Sequence, residues 1–176
     1  MSPLLTVDNL RIAFPSRQGP VEVVRGVSFS LGRERLGIVG ESGSGKSQTR
    51  RALLGLTPVS GTATADRLEF DGIDLRNATA KQWRQLRGAR MSMVMQDPKF
   101  SLNPVMTIGK QLMEAVKLHG GKSEARDKSL AMLEAVQIRD PERVMADYPH
   151  ELSGGMGQRA MIAMMLVTEP DLLIAD

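Results

Sequence analysis

The chain has 176 residues, 41% hydrophobic and 24% charged, with no cysteine and two histidines. That length and balance suit one globular domain able to bury roughly 70% of its unfolded surface, which excludes a disordered chain. The 23 basic and 20 acidic residues leave a net charge of +3. This is too little to argue for a nucleic-acid or anionic-membrane partner, and the missing thiols exclude disulfides, cysteine nucleophiles and thiolate metal sites.

In chain order, Leu10, Ile12 and Phe14 alternate with polar or small residues. Val21 and Val23, then Val27, Phe29 and Leu31, do the same, which predicts extended segments with one apolar face. A short apolar strand is predicted at 36–39, running into a glycine-rich loop and a helix over 46–56. Leu68 and Phe70 before Asp71-Gly72, with Ile73 and Leu75 after it, predict a hairpin closed by a two-residue turn.

Beyond about residue 77 the period becomes helical. Thr79 can cap a segment carrying Trp83 and Leu86, and a β-like run follows at 91–95. Lys81, Arg84, Arg87 and Arg90 recur every three residues and are expected to form a solvated helix face. Thr107 can cap a helix bearing Ile108, Leu112, Ala115 and Val116, which Gly120-Gly121 ends. Ser123 is expected to open the next, with Leu130, Leu133 and Val136 on its stripe. The segment 155–167 is apolar nearly all round, so it is expected to be buried, and Pro170 stops it before an apolar strand at 172–175 closed by Asp176. The longest apolar run, 160–167, falls far short of the roughly 20 residues of a spanning helix. The N-terminus carries no basic leader ahead of an apolar block, so a cytosolic location is expected.

Gly40-Glu41-Ser42-Gly43-Ser44-Gly45-Lys46-Ser47 fits the pattern of a phosphate-binding loop, with a strand predicted before it and a helix after. Glycines let the backbone amides wrap a phosphate without interference from Cβ atoms. Lys46 offers charge to the terminal phosphates, Ser47 a hydroxyl to Mg²⁺, and the start of the helix further amides. A second glycine-opened helix start, Leu152-Ser153-Gly154-Gly155-Met156, could also receive an anion, and Asp176 could hold Mg²⁺ from the end of a strand. Each of these two is a common arrangement taken singly. Gln96, at the end of the 91–95 run, is by itself an ordinary loop residue. His119 and His150 have no metal-ligand spacing, and the Met161, Met164 and Met165 cluster is simple core filling.

In this order the motifs resemble the ATP-binding subunit of ATP-binding-cassette (ABC) transporters over essentially the whole chain. The resemblance matches 40–47 to the Walker A loop, Gln96 to the Q-loop glutamine, 152–156 to the signature and 172–176 to the Walker B strand. Phe14 falls where the family stacks an aromatic ring on adenine. Gln96-Asp97-Pro98, Ser101-Leu102-Asn103-Pro104, Ile108-Gly109, Tyr148-Pro149-His150-Glu151 and Met156 resemble the branch that imports dipeptides, oligopeptides and nickel. Gly157 departs from that branch, where a larger and often basic residue is usual, and glycine inside a helix costs roughly 1 kcal/mol against alanine.

The resemblance implies an α/β fold: a P-loop NTPase core of ABC type, an N-terminal antiparallel β subdomain, and a helical subdomain inserted at about 97–160 in one incomplete domain spanning 1–176. It implies ATP and Mg²⁺ as cofactors, with Ser47, Gln96 and Asp176 toward the metal. The implied partners are a second ATP-binding subunit, two transmembrane permease subunits and an extracytoplasmic solute-binding protein, with no nucleic acid. The implied location is the cytoplasmic face of the inner membrane, as a peripheral protein. The family's catalytic glutamate follows the Walker B aspartate, so the resemblance further implies a chain cut after Asp176 that hydrolyses ATP negligibly. Two alternatives stand beside the importer subunit: an inert nucleotide-binding fragment, and an ABC ATPase of DNA repair. The short spacer between Lys46 and Leu152, without heptads or cysteines, disfavours the second.

Overall fold

The computed structural model describes residues 3–95, 101–119 and 123–175. Gln96, Asp97, Pro98, Asp176 and the expected Gly120-Gly121 stop lie outside these. The chain divides into two units, Met1–Trp83 and Arg84–Asp176.

The first unit is built on an antiparallel sheet. Strands β1 (Leu5–Phe14), β2 (Val21–Leu31), β4 (Arg67–Phe70) and β5 (Ile73–Asp74) run in the order β2-β1-β4-β5, and β3 (Thr62–Thr64) also pairs with β1. In β1 the buried apolar residues are Leu5 and Val7, then Leu10 and Ile12, so the parity of the apolar face changes partway along. A bulge accounts for this. Asn9 has φ 50° and the register with β2 slips between Val7 and Leu10, so one extra residue returns Leu10 and Ile12 to the core face.

The Asp71-Gly72 hairpin forms as expected. Phe70 pairs with Ile73, and both turn residues have positive φ, the twist that two-residue loops require. Helix α1 (Lys46–Leu53) buries Thr49, Ala52 and Leu53. It stops short of residue 56 because Leu54 already leaves the helix as its C-cap.

Two expectations for this unit fail. In β2 the buried residue is Val24, at 3% exposure, whereas Val21 is 49% exposed. Irregular register with β1, together with Gly26 at φ 88°, breaks the simple alternation. Residues 36–39 form no strand. They find no neighbouring strand among the described residues to pair their backbone, and Leu36, Ile38 and Val39 are exposed.

The second unit pairs β6 (Met91–Val94) with β7 (Leu172–Ala175) in parallel, with Met91 opposite Leu172. An ion pair of 2.7 Å from Arg90 to Asp171 and the Leu172 amide donating to the Arg90 carbonyl fix the start of the ladder. Arg90 therefore serves the sheet. Helix α2 (Ala80–Leu86), which crosses the boundary between the units, ends before Arg87, so the basic run is not one helix face.

Thr107 caps α3 (Ile108–Leu118) as expected, accepting from the Lys110 amide at 3.4 Å. Ser123 does not cap α4 (Ala125–Ala135): Glu124 holds that position. The α4 stripe is Ala125, Ser129 and Leu133, while Leu130 and Val136 are half-buried. Ser129 can be wholly buried because its hydroxyl donates to the Ala125 carbonyl at 2.6 Å.

After α5 (Pro141–Ala146), helix α6 (Gly154–Leu166) runs unbroken through Gly157. It buries Gly157, Ala160, Met161 and Ala163 but leaves Ile162 and Met165 half-exposed, so it is covered on one side rather than all round. No helix among the described residues is long and apolar enough to cross a membrane.

Candidate functional site

The loop at 40–47 turns on two left-handed glycines. Gly43 has φ 82°, and Gly45, the N-cap of α1, has φ 91°. A Cβ on Gly45 would lie 2.5 Å from the Val23 carbonyl oxygen and 2.9 Å from Val24 Cγ2, so this position lies against β2 and admits no side chain. A Cβ on Gly40 would come within 2.6 Å of Ser44 Oγ. The Gly45 carbonyl is held by the Thr49 amide at 2.9 Å and the Thr49 hydroxyl at 3.1 Å, which anchors the loop to the first turn of the helix.

Lys46 curls back over the loop it follows. Its Nζ donates to the carbonyls of Gly40 at 2.5 Å and Glu41 at 2.7 Å, and to Ser44 Oγ at 3.4 Å. Among the described residues, the amides of Gly43, Gly45, Lys46 and Ser47 donate to no acceptor. A cation and a set of open N–H groups therefore share one short loop at a helix start, the chemistry that attracts a phosphate. Ser47 is exposed, and among the described residues its hydroxyl has no hydrogen-bond partner.

Phe14, at the end of β1, is half-buried. Its ring lies against Gly61, where an added Cβ would come within 2.6 Å of Cε1. It lines a recess of about 330 Å³ together with Pro15, Pro20, Ser60 and Thr62.

In the second unit, Ser153 caps α6 by accepting from the Met156 amide at 3.4 Å. A single 3-10 turn, Pro149–Glu151, precedes it, braced by the Glu151 carboxylate accepting from the Tyr148 amide at 2.7 Å and by Tyr148 stacked on His150. Leu152 and Met156 are half-buried. A Cβ on Gly154 or Gly155 would meet nothing within 4 Å, in contrast to Gly45. A recess of about 490 Å³ opens beside Ser153, Gly155 and Met156, with Arg139, Asp140, Arg143 and Arg159 also in its lining. Arg159 is steered by donating to the Gln137 carbonyl at 2.6 Å.

Gln96 and Asp176, the remaining residues expected at the site, lie outside the described residues. Sequence patterns gave no sign of Gln111, a buried amide that binds the loop after Ser101-Leu102. Its position on the buried stripe of α3, between Ile108 and Leu112, was the available signal.

Residues 24–176 match the family model described as ABC transporter. The chain is 47% identical over 176 residues to the dipeptide transport ATP-binding protein DppD of Escherichia coli (strain K12), covering 98% of this chain and 54% of that protein. It is 48% identical over 176 residues to the oligopeptide transport ATP-binding protein OppD of Salmonella typhimurium (strain LT2), covering 98% and 52%. The chain thus spans about half the length of the curated relatives it matches. Among solved structures, the dimeric post-hydrolysis state of the ATP-binding cassette MJ0796 bound to ADP and Pi aligns with a TM-score of 0.81 at 23% identity, over 98% of this chain and 73% of that one. The cbiO1 protein of Clostridium perfringens, part of the ABC transporter complex cbiONQ, aligns with a TM-score of 0.76 at 28% identity, over 100% and 66%.

Proposed function

The chain belongs to the ABC transporter family, and on that premise we propose that it is the ATP-binding, energy-coupling part of an importer of peptides. The peptide cargo is supported by the transport of dipeptides and oligopeptides named for its relatives. The DNA-repair alternative finds no support in those relatives. The observation that carries the nucleotide-binding reading is the Lys46 ammonium held over a loop whose Gly43, Gly45, Lys46 and Ser47 amides are open.

In this reading Gly40, Glu41, Ser42, Gly43, Ser44, Gly45, Lys46 and Ser47 hold the triphosphate of ATP. The open amides point hydrogen-bond donors at phosphate oxygens, and Lys46 neutralises charge that builds up as the terminal phosphoryl group leaves. Phe14 offers a ring face to adenine. Ser47 fits a place next to Mg²⁺ because its hydroxyl is exposed, and Gln96 and Asp176 are assigned beside it from the resemblance. Mg²⁺, when bound, spreads the phosphate charge.

Leu152, Ser153, Gly154, Gly155 and Met156 are assigned to the nucleotide of a second ATP-binding subunit. Among the described residues nothing lies within 4 Å of a Cβ built on Gly154 or Gly155, so this helix start is open to a molecule that approaches from outside. Three arginines against the single carboxylate of Asp140 in the lining of the neighbouring recess favour an anionic one. The segment of about 97–160 is taken as a helical subdomain, and the loop after Gln96 as the contact to two permease subunits. A solute-binding protein and a position at the cytoplasmic face of the inner membrane complete the assignment.

Calorimetry with Mg-ATP tests the reading. Saturable binding is expected, weakened at least about tenfold by Lys46→Ala, the equivalent of about 1.4 kcal/mol. Equal affinity in both proteins, or no binding to the unsubstituted chain, refutes it.

A further inference from the structure

Gln111 is only 7% exposed, yet its side-chain amide serves a loop rather than its own helix. Its Oε1 accepts from the Asn103 amide at 2.8 Å. Its Nε2 donates to the carbonyls of Asn103 at 3.0 Å and Met106 at 2.9 Å. Asn103 Oδ1 accepts from the Val105 amide at 3.1 Å, and the Met106 amide donates to the Asn103 carbonyl at 3.3 Å. With Pro104 lacking an N–H, every amide from 103 to 106 is bonded, and Leu102 anchors the start of the loop in the core. The Gln111 side chain ties the loop to α3.

The first turn of α3, which carries Gln111, is fastened in turn to the end of α5. The Ile108 amide donates to the Asp147 carbonyl at 2.9 Å. Gly109 lies so close to Met145 that a Cβ there would sit 2.6 Å from the Met145 carbonyl oxygen. Asp147 leads directly into the braced turn at Tyr148–Glu151 and then to Ser153.

We propose that Gln111 is a positioning residue that joins the loop at 103–106 and the approach to α6 into one rigid link, so that displacement of that loop reaches Ser153. The functional consequence rests on the reading above, in which the first end meets a permease and the second a nucleotide. The link itself is a property of this chain and is read without either. An apolar side chain at 111 would leave the Asn103 amide and the Met106 carbonyl without partners and the Asn103 carbonyl with the Met106 amide alone, which explains why an amide occupies a core position.

Amide hydrogen exchange on the chain, comparing Gln111→Met with the unsubstituted protein, tests the link. Methionine matches the volume of glutamine but carries no amide. The Asn103, Val105 and Met106 amides should exchange about tenfold faster or more, together with those of Glu151 and Gly157, while Lys128 and Val136 at the two ends of α4 stay unchanged. Acceleration confined to the loop, no acceleration at all, or the uniform acceleration expected of the core variant Leu133→Ala would each overturn the proposal. Should Gln111→Met fail to fold, Gly109→Ala strains the link from its other end. It should accelerate the 103–106 amides along with Glu151 and Gly157, and a response at Glu151 and Gly157 alone overturns the proposal. Loss of ATP binding would refute the proposed function without altering this pattern, and an uncoupled pattern would refute the link while ATP binding stands.

Discussion

Alanine substitutions in the two glycine-rich segments should move stability in opposite directions. At Gly45, alanine must adopt φ 91° and bring its Cβ to 2.5 Å from the Val23 carbonyl oxygen and 2.9 Å from Val24 Cγ2. The left-handed backbone costs about 1–2 kcal/mol, and crowding against β2 about 1–3 kcal/mol more, because Val24 is itself buried in the core. A loss of about 2–5 kcal/mol is expected. At Gly43, φ is 82° but among the described residues nothing beyond its chain neighbours lies within 4 Å of the added carbon, so only the backbone term of about 1–2 kcal/mol remains. Gly154 and Gly155 sit in the first turn of α6 with normal backbone and open space around them. Alanine there should stabilise by up to about 1 kcal/mol through helix propensity and a less flexible unfolded chain. Urea unfolding followed by fluorescence of Trp83, the single tryptophan, and by circular dichroism reads all four variants. The reasoning fails if Gly45→Ala costs no more than Gly43→Ala, or if Gly155→Ala destabilises by more than about 0.5 kcal/mol.

Three further outcomes are expected. The Arg76 guanidinium, helped by the Arg76 amide and the Asn77 side chain, outweighs desolvation and holds the Asp74 carboxyl well below the usual carboxylate range. Its folded value lies below the unfolded value of about 3.9, so the stabilisation is complete above that pH and is lost as pH falls further. The urea midpoint should therefore drop between pH 5 and pH 2, and Asp74→Asn should shrink that drop, an effect absent if Asp74 plays no part. Phe70→Ala should cost about 3–5 kcal/mol, since the ring is wholly buried, whereas Phe14→Ala should cost under about 1.5 kcal/mol yet weaken ATP binding several-fold. Thermal melts and calorimetry separate the two, and unchanged ATP affinity in Phe14→Ala would remove Phe14 from the site. Thr107→Ala and Ser153→Ala should each cost about 0.5–1 kcal/mol as lost helix caps, while Ser123→Ala should be neutral because Glu124 holds the cap position of α4. A melting-temperature loss in Ser123→Ala equal to that in Thr107→Ala would contradict this.

Features set by neighbours in sequence were legible before any coordinates. The Asp71-Gly72 turn needs two positive φ angles, the Thr107 cap needs one hydroxyl three residues before an amide, and the 40–47 loop needs glycines at fixed intervals. The turn and the cap took the expected local shape, and the loop turns on left-handed Gly43 and Gly45 although no strand leads into it. Features that depend on a distant partner were not legible. The bulge at Asn9 shows only as a parity change between Val7 and Leu10, and it is defined by pairing with β2. The run at 36–39 has the composition of a buried strand, but a strand exists only where another chain segment accepts its hydrogen bonds. Gln111 has an unremarkable identity, and its role comes from a loop that folds onto it from 103–106. Ser123 shows the converse, a good capping residue that lies one position too early for α4.

Lys46 has three oxygen partners in its own loop, so on the proposed reading an arriving phosphate does not meet a bare charge. It competes with the Gly40 and Glu41 carbonyls for an occupied cation, and measured affinity is the difference between two sets of contacts. Substitutions that tighten the loop's grip on its own lysine would weaken the nucleotide without touching it, and those that loosen the grip would do the reverse.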